Sequence, residues 1–178
     1  MSLKIGVVLG STREGRASES VGKWVLDHTQ NNEEVTYEIV DIKDYDLPFL
    51  GTSKDNEAII KWNKKLSELD GFIFVVAEYN HSMTGALKNA LDSAKDAWNN
   101  KSAGIVSYGS AGGARAAEHL RGVLSELQVA SVRTHILLSL FDDFENFSSF
   151  KPREIHNDNL NMLFTQVANW AKALKTLR

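Results

Sequence analysis

The sequence predicts an α/β fold, with a five-stranded parallel sheet in the order 2-1-3-4-5 and helices on both faces. Strand-like and helix-like patterns alternate along the whole chain, and parallel strands require crossover connections of that kind. Short apolar runs bounded by turn residues recur, as they do in strands covered on both faces. Unusual loops at 10–18, 77–83 and 109–113 follow the first, third and fourth of these runs. In a sheet of this order such loops share one crevice beyond the carboxyl ends of the strands, at the switch point between strands 1 and 3. No repeat or linker interrupts residues 1–178, which read as a single domain.

Residues 3–9 form the first apolar strand. From Ser18 to Thr29, Val21, Trp24, Val25 and His28 recur at helical spacing, with Ser18 as the N-cap and Glu19 in the first turn. Residues 35–41 alternate as a strand, and 44–56, with Pro48 and Gly51, read as a loop. An amphipathic helix over 57–69 carries Ile59, Ile60, Trp62 and Leu66 and stops at Asp70-Gly71. Phe72–Val76 is the strongest strand. A helix over Ala86–Trp98 presents Leu87, Leu91, Ala94 and Trp98 as core. Ala103–Tyr108 is the fourth strand, Ala114–Leu127 a helix and Val129–Leu138 the fifth strand. Residues 139–157 read as a long loop bearing Phe141, Phe144, Phe147 and Phe150, and Asp158–Leu174 as the last helix.

Composition narrows the function. A formal net charge of -3 does not suit a nucleic-acid surface, so a phosphate ligand must be held by local groups. The absence of cysteine excludes disulfides, thiolate metal sites and dithiol redox chemistry; redox activity would need a bound cofactor. No apolar run approaches membrane length and no secretory pattern opens the chain, so no membrane partner is expected and the cytoplasm is the expected location.

The first loop, Gly10-Ser11-Thr12-Arg13-Glu14-Gly15-Arg16-Ala17-Ser18, joins a strand to a helix start, where free N–H groups and the helix dipole favour an anion. Gly10 and Gly15 have P-loop spacing, but Arg16 and Ala17 stand where Lys and Ser/Thr are required. What remains, Ser11, Arg13, Arg16 and Ser18, suits a phosphate monoester, since arginine offers a forked donor and hydroxyls complete the shell. In the second loop, Glu78-Tyr79-Asn80-His81-Ser82, a flat polar ring system would lie against Tyr79, with Asn80 and backbone groups reading its edge. In the third, Gly109-Ser110-Ala111-Gly112-Gly113, glycines let backbone approach a ligand. Arg115 faces either that ligand or solvent. The five histidines show no i,i+4 pairing, Asp142-Asp143-Phe144-Glu145 reads as a solvated loop, and no Gly-x-Ser-x-Gly elbow occurs, so neither a metal site nor a hydrolase is indicated.

At these three loops the chain resembles the NADPH-dependent FMN reductase family, which includes quinone, azo-compound and chromate reductases. The resemblance lies in Gly10-Ser11-Thr12-Arg13 with Ser18, in Glu78-Tyr79-Asn80-His81-Ser82 continuing through Gly85 to Asp92, and in Ser107 to Arg115, and it runs from about residue 3 to the C-terminus. It implies a flavodoxin-like fold, non-covalent FMN, and NADPH or NADH as reductant. By the resemblance, Ser11, Arg13 and Ser18 meet the FMN phosphate, Glu78 to Ser82 line the isoalloxazine, and Gly109 to Gly113 lie near the ring and the nicotinamide. It also implies a homodimer or homotetramer with its active site near a subunit contact. Many relatives have Pro at the positions of Ala77 and Thr84, and the change is expected to loosen the ring-binding loop. Many also have Ser in place of Arg16 and Asn in place of Ser18.

The activity so implied is hydride transfer from NAD(P)H to flavin, then to a small-molecule quinone, azo, flavin or metal-oxyanion acceptor. The flavin supplies the chemistry, so no side chain is assigned as catalytic. The alternative is a flavin-binding electron carrier without NAD(P)H turnover, which is usually more acidic than -3 suggests.

Overall fold

The computed structural model describes residues 2–29, 33–51, 56–94 and 96–178. Five strands, β1 (Leu3–Leu9), β2 (Val35–Asp41), β3 (Gly71–Ala77), β4 (Lys101–Gly109) and β5 (Val129–Ser139), form one sheet in the order β2-β1-β3-β4-β5. All four pairings are parallel, with Val7 opposite Ile73 and Val75 opposite Val106. The expected order is therefore the observed one. The central β3 is buried along its full length, while the edge strand β2 is only partly covered, with Thr36 and Ile39 exposed, because an edge has a neighbour on one side alone.

Two helices, α1 (Ser18–Asp27) and α5 (His156–Leu174), pack one face through Val21, Val25, Leu160, Leu163 and Val167. Three others, α2 (Glu57–Ser67), α3 (Gly85–Asp92) and α4 (Ala114–Glu126), pack the opposite face through Trp62, Leu66, Leu87, Leu91, Leu120 and Leu124. Trp62 and Trp98 are both fully buried at the centre of that second layer, and each indole N–H finds an acceptor, Ala90 O at 2.8 Å and Leu91 O at 3.0 Å. The polar end of each ring is thus satisfied while its body is removed from water.

Several boundaries differ from expectation for local reasons. α1 starts with Ser18 as its first helical residue and Ala17 in the cap position, so Ser18 is not the cap. It ends at Asp27 because His28 Nδ1 and Thr29 Oγ1 turn back to Trp24 O and Leu26 O. α2 ends two residues early, and Asp70 instead accepts from Lys4 N. α3 stops at Asp92, and a 3-10 turn at Asp96–Trp98 follows; Trp98 folds back to take one carbonyl of α3, and Asn63 Nδ2 takes Ser93 O. Lys95, within the expected helix, and 52–55, within the expected loop, lie outside the described residues.

Residues 139–157 are not an irregular loop. Strands β6 (Phe144–Glu145) and β7 (Ser149–Phe150) form a small antiparallel hairpin. Nor is Asp143 solvated: it is fully buried and accepts from Ser139 N at 2.8 Å, Arg153 N at 3.1 Å, Arg153 Nε at 3.0 Å and His156 Nε2 at 2.9 Å. Burial alone would raise its pKa, but these donors outweigh it and hold the carboxyl below its usual range. α5 consequently begins at His156, two residues before the expected start.

Candidate functional site

Loops from the ends of β1, β3 and β4 meet at one crevice. β1 leaves the sheet at Gly10, whose N–H donates to Val75 O at 3.0 Å; a Cβ there would lie 2.8 Å from that oxygen, so the close approach requires glycine. Arg13 and Arg16 then take opposite courses. Arg16 is buried, and all five of its N–H donors are committed. Nε and Nη2 donate to Glu19 Oε1 at 3.0 and 2.8 Å, Nη1 donates to Asp41 Oδ1 at 2.8 Å and to Ser11 O, and Nη2 donates to Asp41 Oδ2. The expectation that Arg16 binds the anion is therefore corrected: its side chain braces the loop against the end of β2. Arg13 is exposed, forms no ion pair among the described residues, and holds its guanidinium carbon 5.7 Å from the centre of the Tyr79 ring.

Free donors collect beside Arg13. The N–H groups of Thr12, Arg13, Ala17 and Ser18 reach no acceptor among the described residues. Ser18 Oγ is buried and makes no hydrogen bond of good geometry among the described residues. It faces the Tyr108 hydroxyl, whose pKa burial pushes up to about 12, so that phenol stays neutral. An orphaned buried hydroxyl, unpaired backbone donors, a helix start and one free cation fit a phosphate dianion.

The second loop is a tight turn. Tyr79 and Ser82 exchange backbone hydrogen bonds of 2.9 and 3.1 Å, with Asn80 and His81 both at positive φ, 48° and 72°. Asparagine tolerates that conformation well, which accounts for its place. Tyr79 Oη meets Ser11 Oγ at 3.2 Å and ties this turn to the first loop. His119 Nδ1 meets Ser82 Oγ at 2.9 Å, and the His81 and His119 rings lie 6.4 Å apart. Thr84 does more than replace a rigid residue. Its hydroxyl donates to Gly10 O at 2.5 Å and accepts from Leu87 N at 3.0 Å, so it caps α3 and pins it to the first loop.

Glu78 borders the crevice and turns its carboxylate to the start of α4. Its buried carboxylate pairs with Arg115 and accepts from Arg115 N at 3.1 Å and Ala116 N at 3.4 Å, covering the start of α4. Burial would raise its pKa; the Arg115 contact and the two N–H groups more than reverse this and keep it ionised. Of the two readings of Arg115, the surface one is the nearer: it lies half-exposed on the first turn of α4 and pairs with Glu78.

In the third loop Gly112 and Gly113 have φ of 66° and 74°, and a Cβ on Gly113 would come 2.7 Å from Tyr108 N. Ser107 Oγ donates to Gly112 O at 2.7 Å and meets His135 Nε2 at 2.8 Å. Burial drops His135 to about 4, so a neutral imidazole holds this loop from below. Ser110 is exposed at its tip.

The crevice itself has a volume of about 280 Å³ and is bounded by Arg13, Gly15, Glu78, Tyr79, Tyr108 and Gly109, with Leu140, Phe147 and Ser148 on the β5 side. A larger cavity of about 390 Å³ lies between Thr12, Lys43, Phe49 and the start of α3. The smaller one gathers all three loops. Its wall at 140 and 147–148 is visible in the sequence only as a cluster of phenylalanines, which does not say which of them turn outward. Among the described residues, no group of three or more His, Asp or Glu could hold a metal ion, and no helix is long and apolar enough to cross a membrane.

Comparison with known proteins adds an independent line. The family model described as NADPH-dependent FMN reductase matches residues 3–143, and so ends before the β6–β7 hairpin. An NAD(P)H-dependent FMN reductase of Schizosaccharomyces pombe is 34% identical over 146 residues, covering 77% of this chain and 73% of its own. A 2-hydroxy-1,4-benzoquinone reductase of a Burkholderia species is 33% identical over 143 residues, covering 72% and 74%. Among solved structures, a flavoenzyme NAD(P)H:(acceptor) oxidoreductase of Paracoccus denitrificans superposes with a TM-score of 0.78 at 17% identity, over 96% of this chain and 98% of that one, a likeness of fold.

Proposed function

This chain belongs to the NADPH-dependent FMN reductase family, and on that premise we propose that it is an FMN-dependent NAD(P)H oxidoreductase reducing a small-molecule acceptor of the quinone type. The observation that carries the reading is the anion socket at the start of α1, with the orphaned Ser18 hydroxyl, the unpaired N–H groups and the free Arg13 at the mouth of the crevice. When bound, FMN would supply the chemistry by accepting a hydride from the nicotinamide and passing electrons to the acceptor.

The residues of this chain divide the work. Arg13, Ser18 and the loop N–H groups take the phosphate, with Ser11 joining once its hydroxyl leaves Tyr79 Oη. Tyr79, Asn80, His81 and Ser82 form the wall for a flat ring, and the Asn80–His81 turn holds their backbone groups fixed. Gly109, Ser110, Gly112 and Gly113 give backbone access from the other side. Glu78 and Arg16 act indirectly, by fixing α4 and the first loop. Tyr108, neutral and buried, closes the floor against water.

Exposed Phe49, Leu50 and Ile60 on the α2–α3 side support a homodimer or homotetramer. Dependence on NAD(P)H fits a cytoplasmic setting. The deciding experiment is the visible spectrum of protein loaded with FMN, before and after anaerobic NADPH. Loss of absorbance near ~450 nm, followed by its return on adding menadione, is the expected result, because the colour belongs to the flavin. Protein that takes up no FMN, or bound FMN that NADPH leaves oxidised, overturns the reading.

A further inference from the structure

We propose that Phe147, stacked edge-on against Phe141, is a specificity-determining residue: it forms the wall of the crevice against which a planar aromatic acceptor packs. The inference rests on the functional reading above and extends it to the choice of acceptor.

Three observations carry it. The first is backbone conformation. Asn146 and Phe147 sit at the turn of the hairpin with φ of 51° and 57°, and Ser148 N closes the turn on Glu145 O at 3.1 Å. Two successive left-handed residues favour Asn followed by Gly, and a bulky aromatic in the second place is costly. Strain of this kind points to a function for the side chain it presents.

The second is where that side chain goes. Phe144 and Phe150, on the paired positions of the hairpin, turn into the core, with Phe144 6.1 Å from Tyr108 and Phe150 5.7 Å from Trp24. Phe147 turns the other way. It is 64% exposed, its ring meets Phe141 at 5.5 Å and 90°, and it lines the crevice that Arg13, Tyr79 and Tyr108 also line. Neither burial nor core packing accounts for it.

The third is rigidity. The hairpin hangs from the buried Asp143, which gathers Ser139, Arg153 and His156, while Lys151 N donates to Asp143 O at 2.9 Å. The wall is therefore set in place before a ligand arrives. An aromatic face held at the rim attracts flat rings and offers nothing to a compact hydrophilic oxidant.

The test uses the FMN-loaded protein with NADPH and two acceptors, menadione and ferricyanide. In Phe147→Gly, which suits the left-handed backbone and should fold at least as well as the parent, the ratio of kcat/KM for menadione to that for ferricyanide falls about fivefold, mostly through the KM for menadione. Calorimetric titration of menadione into the oxidised protein, without NADPH, gives a dissociation constant raised by a similar factor. Phe147→Tyr keeps the parent ratio. An unchanged ratio in Phe147→Gly, or an equal loss in Phe147→Tyr, overturns the inference while leaving the enzyme assignment standing. Reduction of neither acceptor by the parent protein overturns the assignment and the inference together.

Discussion

The two ends of the sheet handle charge in opposite ways. At the amino ends of the strands, Asp70 accepts from Lys4 N at 2.9 Å, Lys175 Nζ at 2.8 Å and Arg178 Nη2 at 2.9 Å. One carboxylate thus ties β1 and the last residues of the chain to the start of β3. At the carboxyl ends, a buried hydroxyl and several N–H groups find no hydrogen-bond partner, and Arg13 no ion pair, among the described residues. Satisfied polar groups hold a fold together, and unsatisfied ones bind something else. The same division recurs three residues apart in one loop, where Arg16 braces and Arg13 waits.

The largest effect should come from the brace. Arg16→Ala removes the guanidinium that Asp41 and Ser11 O share, leaving Asp41 only Lys43 N, and costs about 3 kcal/mol, a fall in Tm of roughly 10 °C by thermal denaturation. An unchanged Tm would erase the distinction between the two arginines. Arg13→Ala should do the reverse: stability holds within about 0.5 kcal/mol, while the Kd for FMN, measured by flavin fluorescence, rises about 10- to 100-fold through loss of a charge-assisted contact. If FMN affinity is instead unaffected, the phosphate lies elsewhere.

The smallest effect concerns the one uneasy charge at the amino ends. Lys101 is buried over Phe72, with Nζ on Leu66 O at 2.5 Å, and burial, helped by Arg178, lowers its pKa to about 8. Its unfolded value is about 10.4, so between these two pH values the unfolded chain binds the extra proton. Stability therefore climbs as pH rises through that window, and the full cost is present below it. Lys101→Met should stabilise the protein by about 1–2 kcal/mol at pH 7, with the advantage shrinking toward pH 10 in denaturant titrations.

The sheet was legible in the sequence because buried parallel strands are written as unbroken apolar runs, Phe72–Val76 above all, and a run needs no partner to be recognised. The loops were legible for a similar reason: glycine and hydroxyl residues after a strand carry their own chemistry. What could not be read depended on residues distant in the chain. The inward turn of Arg16 is decided by Asp41, twenty-five positions away. The early end of α3 is decided by Trp98 returning to Leu91 O, and the helical spacing of Trp98 itself pointed to a continuous helix. The carboxylate of Glu78 meets Arg115 and Ala116, thirty-seven and thirty-eight positions on. In the segment at 139–157, the phenylalanine spacing is neither strand nor helix, and only the buried Asp143 and the hairpin pairing sort two rings inward and two outward.

The position of Glu78 has one more consequence. Two helices open onto the crevice, and either could in principle attract a negatively charged tail. By laying its own anion over the first N–H groups of α4, the chain cancels one of these two poles and leaves α1 as the sole attractive one. On the proposed reading, a nucleotide entering here would meet an asymmetric field that draws its tail toward α1, so its orientation would be set before any contact with the ring is made.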